Sequence, residues 1–112
     1  MKKKVPILLT WDVDPTPEVE IAGKKAALDI TAKLLKELNI KSTFLFVATI
    51  AQQLKDEVTM LISNGHEIGS HGFAHNDEEE YNKMPSDKQR EYLYKANDIL
   101  KAIACKPVTT FR

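Results

Sequence analysis

The 112-residue chain has one cysteine, four glycines and no net charge, and it holds no apolar run long enough to span a bilayer. Each shortage excludes something. Cys105 alone cannot close an internal disulfide, and without a CxxC pair a redox domain is unsupported. It lies inside an apolar helical pattern, which reads as a small buried hydrophobe rather than a nucleophile. A Gly-rich phosphate loop is missing, which removes the main signature of a nucleotide-binding or flavodoxin-like domain. Sixteen basic residues balance sixteen acidic ones, so neither nucleic acid nor an anionic membrane is an expected partner. A bilayer span needs about 20 apolar residues. The run Val5–Leu9 behind Met1-Lys2-Lys3-Lys4 is far shorter and contains Pro6. It reads as a solvated lead-in to a strand, not a signal peptide, and a cytoplasmic location is expected. Repeats, low-complexity tracts and linkers are also missing. The length allows one domain at most, and 43% apolar residues suffice for a modest core.

What the chain does have is an alternation of periods. Val5 to Trp11 is a short apolar run of strand formers, the pattern of a buried parallel strand. Ala27, Ile30, Leu34 and Leu38 recur at helical spacing within Ile21–Leu38, and Asn39 suits the helix end. Ser42–Val47 reads as a second strand. Ile50, Leu54, Val58 and Leu61 outline a second helix, closed by Asn64-Gly65. Glu67–Ser70 is a brief third strand. The acidic run Asp77–Glu80 reads as solvated surface. Ser86 and Gln89 have capping-box spacing ahead of a third helix marked by Leu93, Ala96, Leu100 and Ile103. Pro107–Phe111 reads as a fourth strand, with Arg112 at its tip. Strand and helix thus alternate as β-α-β-α-β-α-β, which predicts an α/β fold with a parallel sheet and right-handed crossovers. All four strand tips, with Asp12 and Asp14, Val47, His71 and Arg112, would then share one edge, where such folds collect ligands.

The three histidines all fall in the stretch Gly65-His-Glu-Ile-Gly-Ser-His-Gly-Phe-Ala-His-Asn-Asp77. His71 and His75, four apart, reach one metal ion only if the chain coils after Gly69, because on a strand they would lie about 13 Å apart. Gly72 between them permits the turn. His66, just after a helix-stop signal, reads as a strand-start residue with a structural hydrogen bond. An isolated HxxxH is a weak signal and also occurs by chance. Asp12 and Asp14 flank Val13 and face one side of an extended chain. A divalent cation would relieve their repulsion, although for the pair taken alone loop capping ahead of Pro15 is the favoured reading. One carboxylate with two imidazoles leaves coordination positions open, the pattern of catalytic rather than structural zinc.

Thr10-Trp11-Asp12-Val13-Asp14, then Gly65 to His75, then Phe111-Arg112 resemble, in order, the first, the second and the beginning of the third motif of the polysaccharide deacetylase (NodB-homology) family. The resemblance implies a distorted TIM-like β/α barrel, of which residues 1–112 would form an incomplete half truncated after the fourth strand. It also implies a divalent metal, zinc first with cobalt or another transition metal as alternatives. The expected substrate is an acetylated glycan such as peptidoglycan or a chitooligosaccharide, losing N-acetyl groups by amide hydrolysis. Asp12 matches the catalytic base and Arg112 the residue that orients it. His71 and His75 match the metal-binding histidines. Where the commoner motif has two adjacent aspartates, Val13 intervenes, so Asp14 is the expected third ligand. That Asp-x-Asp arrangement resembles a branch containing certain peptidoglycan deacetylases and allantoinase-like amidohydrolases, which would take a small amide. Gly72 stands where Ser or Thr commonly follows the first histidine. The family's later motifs have no counterpart after Arg112, so the isolated chain is expected to bind metal weakly and hydrolyse little. The competing expectations are a non-catalytic half-barrel module that self-associates through exposed sheet edges, or an allantoinase-like fragment.

Overall fold

A computed structural model describes residues 2–112; Met1, the first residue of the basic start, lies outside the described residues. The elements in chain order are β1 (Thr10–Val13), α1 (Ile21–Glu37), β2 (Thr43–Phe46), α2 (Ala48–Ala51), α3 (Lys55–Ser63), β3 (Glu67–Ser70), a single 3₁₀ turn (Tyr81–Lys83) and α4 (Ser86–Ala104). The three strands form one parallel sheet in the order β1-β2-β3. Each crossover therefore steps the same way along the sheet. This is the winding of a barrel wall, without the reversal of strand order that marks a doubly wound fold.

Alternation along the strands separates two faces. On the helix-covered face Phe44 and Phe46 have no exposed surface, and Val13 and Ile68 are buried beside them. Leu54, Val58 and Leu61 of the α2–α3 segment and Ala96 and Leu100 of α4 close this core at 0% exposure. Each fully buried large apolar side chain contributes about 1.5–3 kcal/mol. The other face is largely polar: Glu67 accepts the hydroxyls of Thr43 at 3.1 Å and of Thr110. Gly69 lies on this face in register with Leu45. A Cβ there would stand 2.9 Å from Leu45 Cδ2 and 3.0 Å from the Thr110 carbonyl oxygen, so the close approach of the next chain segment requires glycine.

Several expectations from sequence change in detail. The first strand is Thr10–Val13, not Val5–Trp11, because its partner β2 begins at Thr43 and the last bond toward the N-terminus is from Thr43 N–H to the Leu9 carbonyl. Val5, Ile7 and Leu8 are 77%, 82% and 87% exposed. The second helix is interrupted between Ala51 and Lys55, yet Ile50, Leu54, Val58 and Leu61 are all buried as the periodicity requires. The fourth strand is reduced to one parallel bridge, Ser70 with Phe111. Ser86 is the first residue of α4, not its cap. Pro85 takes the cap position, and the Gln89 amide donates to the Tyr81 and Met84 carbonyls at 2.7 and 3.0 Å instead. Cys105 is exposed, past the last turn of α4 and in the left-handed region at φ 57°. The helix has ended before its side chain could rotate onto the core.

Candidate metal centre

Three chain segments meet at the C-terminal edge of the sheet. The first is the end of β1. Asp12 lies within the strand, opposite Leu45, and Asp14 follows it. The loop beyond is held by buried Lys24 of α1, whose ammonium donates to the carbonyls of Thr16 at 3.2 Å and Val19 at 2.7 Å. The second segment leaves β3. The His71 N–H donates to the Phe46 carbonyl at 2.9 Å, after which the chain coils back so that His75 sits at φ 54°. The third is Thr110–Arg112, pinned to β3 by Ser70 N–H to the Thr110 carbonyl at 2.7 Å and Arg112 N–H to the Ser70 carbonyl at 3.0 Å.

These segments bring Asp14, His71 and His75 together, with one ligand atom from each lying within 4.8 Å of the others. Asp14 Oδ1 is 3.1 Å from His71 Nε2 and 3.8 Å from His75 Nε2. The two rings stand 5.1 Å apart at 36°. Donors held at about 2.0–2.1 Å around one tetrahedral ion lie about 3.3 Å from one another, and the two contacts to Asp14 bracket that spacing.

The hydrogen bonding tests the fit further. His71 Nδ1 bonds to the main-chain oxygen of Arg112. A main-chain oxygen of this kind accepts, so Nδ1 carries the proton and Nε2 presents a lone pair to Asp14. Asp14 Oδ1 is buried and has no hydrogen-bond donor among the described residues. Two acceptors facing each other across 3.1 Å repel unless a cation or a second proton lies between them. The oxygen–two-nitrogen donor set, with one imidazole fixed through its other nitrogen, is chemically suited to a zinc-like ion.

Asp12 is engaged differently. The Arg112 guanidinium reaches Asp12 Oδ1 through Nε at 3.0 Å and also through Nη2, while Nη1 donates to Thr10 Oγ1 at 2.6 Å. A planar fork anchored at two points fixes the carboxylate's direction. An open cleft of about 440 Å³, bounded among others by His71, His75, Tyr81, Phe111 and Arg112, leads to the imidazoles.

His66 stands apart from this cluster, as its position after the helix stop predicts. It is 3% exposed, its Nδ1 accepts the Ser42 N–H at 3.1 Å, and its ring packs edge-on against Phe44. Burial, helped by the positive charge of Lys41, holds its pKa below the usual value.

Glu79 is the residue that sequence reasoning missed. Set in an acidic run that reads as solvated, it is only 9% exposed and binds the backbone of the His71–His75 loop. Burial pushes its carboxyl pKa up, but the N–H groups of Phe73, Ala74 and His75 and the Tyr81 hydroxyl outweigh that, leaving it below the usual value. Burial, reinforced by the same carboxylate, raises the Tyr81 hydroxyl well above its ordinary range. Nothing in a run of like charges tells which member turns inward. Gly72, whose missing side chain makes room for Glu79, is the one local signal.

Fold and site together define a class, a parallel α/β wall whose C-terminal edge gathers a carboxylate and two imidazoles, a group able to hold a metal ion. The comparisons with known proteins narrow it. The polysaccharide deacetylase family matches residues 1–112, and the chain belongs to that family. It is 28% identical over 104 residues to a peptidoglycan-N-acetylglucosamine deacetylase of Bacillus cereus, a match covering 90% of this chain and 33% of the relative. The chain thus spans about a third of that curated relative's length. Among solved structures, a family 4 carbohydrate esterase from Bacillus anthracis superposes with a TM-score of 0.76 at 24% identity, covering 94% of this chain and 46% of that one. A family 4 pseudoenzyme from the same organism superposes at 0.75 with 23% identity, covering 93% and 33%. At such identities the two structures speak for the fold alone. No helix among the described residues is long and apolar enough to cross a membrane.

Proposed function

We propose that residues 1–112 are a partial polysaccharide deacetylase domain that carries the metal-holding part of a hydrolase for N-acetylated glycans, with peptidoglycan or a chitooligosaccharide as the substrate class. The single observation that carries this reading is the convergence of Asp14 Oδ1 with His71 Nε2 and His75 Nε2, the first of these imidazoles being held in the tautomer that offers its lone pair.

In this reading Asp14, His71 and His75 hold a divalent cation, zinc or cobalt. When bound, that ion supplies Lewis acidity at the amide carbonyl to be cleaved. Asp12 takes a proton from the attacking water as general base. Arg112, bonded to Asp12 Oδ1 through Nε and Nη2, keeps the Asp12 carboxylate aimed at that water. Addition of water and cleavage of the C–N bond release acetate and leave the sugar amine. Tyr81 and Phe111, packed edge to face at 5.9 Å, flank the cleft through which a sugar would approach.

Calorimetry with zinc on the wild-type chain and on His75→Ala tests the reading. A saturable 1:1 titration that the substitution weakens at least tenfold supports it, and equal titrations reject it.

A second reading, a non-catalytic module that pairs with a further copy, is favoured by one feature. Ile30 and Leu34 of α1 and Leu38 at its C-cap are 69%, 50% and 58% exposed, and the β1 edge of the sheet has no neighbouring strand among the described residues. Unpaired edges with nearby apolar surface invite association. Light scattering across a concentration series decides: growth of the mass with concentration supports the module, and a constant monomer mass rejects it.

A further inference from the structure

The carboxylate of Glu79 sits inside the loop that joins the two imidazoles, and it makes four hydrogen bonds there. Its Oε1 accepts the N–H groups of Ala74 at 2.6 Å and His75 at 2.8 Å; its Oε2 accepts the N–H of Phe73 at 2.6 Å and the Tyr81 hydroxyl at 2.7 Å. Three consecutive backbone N–H groups aimed at one anion form a nest. In this protein the anion comes from the chain itself. With both oxygens engaged by donors, Glu79 is not free to ligate a cation and can act on the centre only through the loop.

The opposite side of the loop is held as well. The carbonyls of Gly72 and Phe73 accept the N–H groups of Ala48 and Thr49, each at 3.0 Å. The strand–loop junction is therefore clamped between the segment that follows β2 and the Glu79 carboxylate. Two positive-φ residues, Gly72 and His75, lie within this clamp. His75 lies at φ 54°, which costs free energy for any residue with a side chain. Gly72 lies at φ +92°, and a Cβ there would stand 2.7 Å from Glu79 Oε2. The carboxylate thus fills the space that residue 72 leaves by having no side chain.

We propose that Glu79 is a positioning residue: by filling the nest of Phe73, Ala74 and His75, its carboxylate holds the His71–His75 loop in the coil that turns both Nε2 atoms toward Asp14. The inference rests on the metal reading given under Proposed function. A neutral amide in place of the carboxylate has one oxygen for two sets of donors, so Glu79→Gln sets an NH₂ against at least one backbone N–H. Glu79→Asp keeps both acceptor oxygens on a shorter stem.

The test uses the whole chain and has two readouts. Residue-resolved amide hydrogen exchange is measured first on metal-free protein, then cobalt is titrated and followed by its visible d–d absorption. In Glu79→Gln the amides of Phe73, Ala74 and His75 are expected to exchange at least tenfold faster, while those of Leu45 and Phe46 in β2 stay unchanged. Cobalt affinity is expected to fall at least tenfold with an altered absorption envelope, and Glu79→Asp is expected to recover part of both. Faster exchange with unaltered cobalt affinity and spectrum would overturn the proposal, since the carboxylate would then hold the loop without setting the imidazoles. Unchanged exchange would overturn it too. Should Glu79→Gln not fold, Glu79→Asp alone decides: cobalt affinity and spectrum equal to those of the wild type would overturn the proposal. A wild-type chain that binds no cobalt would instead reject the metal reading itself, an outcome visible before any variant is compared.

Discussion

Among the single residues, His71 and His66 illustrate how one side-chain type is given opposite tasks by its partners. Both use Nδ1 for a backbone hydrogen bond, but His71 bonds to the main-chain oxygen of Arg112 and so donates, whereas His66 accepts the Ser42 N–H. His66 is therefore neutral in the folded protein, and its pKa is lowered by burial and by Lys41 from an ordinary value of 6.5. The unfolded chain takes up this proton more readily than the folded one, so unfolding is favoured wherever that difference operates. The contribution of His66 to stability is complete above about pH 6.5 and is lost as pH falls below it toward the lowered folded value. Urea unfolding of wild type and His66→Gln at about pH 7.5 and about pH 5.5 checks this. The wild type is expected to lose more stability between the two than the variant, and equal losses would contradict the assignment. The role of His66 is legible in sequence because a residue just after the Asn64-Gly65 helix stop leads into the next strand, which begins at Glu67. The inward turn of Glu79 was not legible, since it depends on a loop conformation that forms only when β3, the start of α2 and residues 79–81 are assembled. Cys105 was misread for a related reason: its apolar spacing continues the α4 pattern, but the helix ends one residue earlier.

Among the elements, α1 shows where periodicity alone leaves a choice. Its sequence contains two apolar stripes, Leu28-Ala32-Leu35 and Ala27-Ile30-Leu34-Leu38. The second has the more conspicuous large side chains and is the face expected inside, yet the first is buried, with Leu28, Ala32 and Leu35 at 7%, 3% and 2% exposure. Lys24 lies on the same buried face as Leu28, Ala32 and Leu35, and its bonds to the Thr16 and Val19 carbonyls tie that face to the loop after β1. Neighbouring positions on α1 should therefore respond very differently to truncation. Leu35→Ala leaves a cavity in the core and is expected to cost about 2–5 kcal/mol. Leu34→Ala, half exposed on the outer stripe, is expected to change stability by no more than about 0.5 kcal/mol. Denaturant midpoints of the two variants measure this, and similar losses would mean that α1 sits on the sheet by its other face. By contrast, the stripe Ile50-Leu54-Val58-Leu61 is legible through a break in the helix, because both halves bury the same side against α4, and α3 also against β3.

For the whole molecule, the alternation of strand and helix was enough to specify a parallel sheet with every strand tip at one edge, and the structure has that arrangement. Strand limits were less legible because they are set by partners: β1 is paired only where β2 lies beside it, and Pro107–Phe111 meets β3 at a single bridge. The juxtaposition of Asp14 with His71 and His75 spans more than half of the chain and follows from β1 and β3 flanking β2 in a three-strand sheet. The repulsion built into that juxtaposition, a buried carboxylate oxygen against an imidazole lone pair, is what a cation would resolve. X-ray absorption at the zinc edge of the metal-loaded chain addresses this most directly. The account expects nitrogen or oxygen neighbours at about 2.0–2.1 Å with the outer-shell signature of two imidazoles, reduced to one in His75→Ala. A spectrum without imidazole scattering, or one that His75→Ala leaves unaltered, would contradict it.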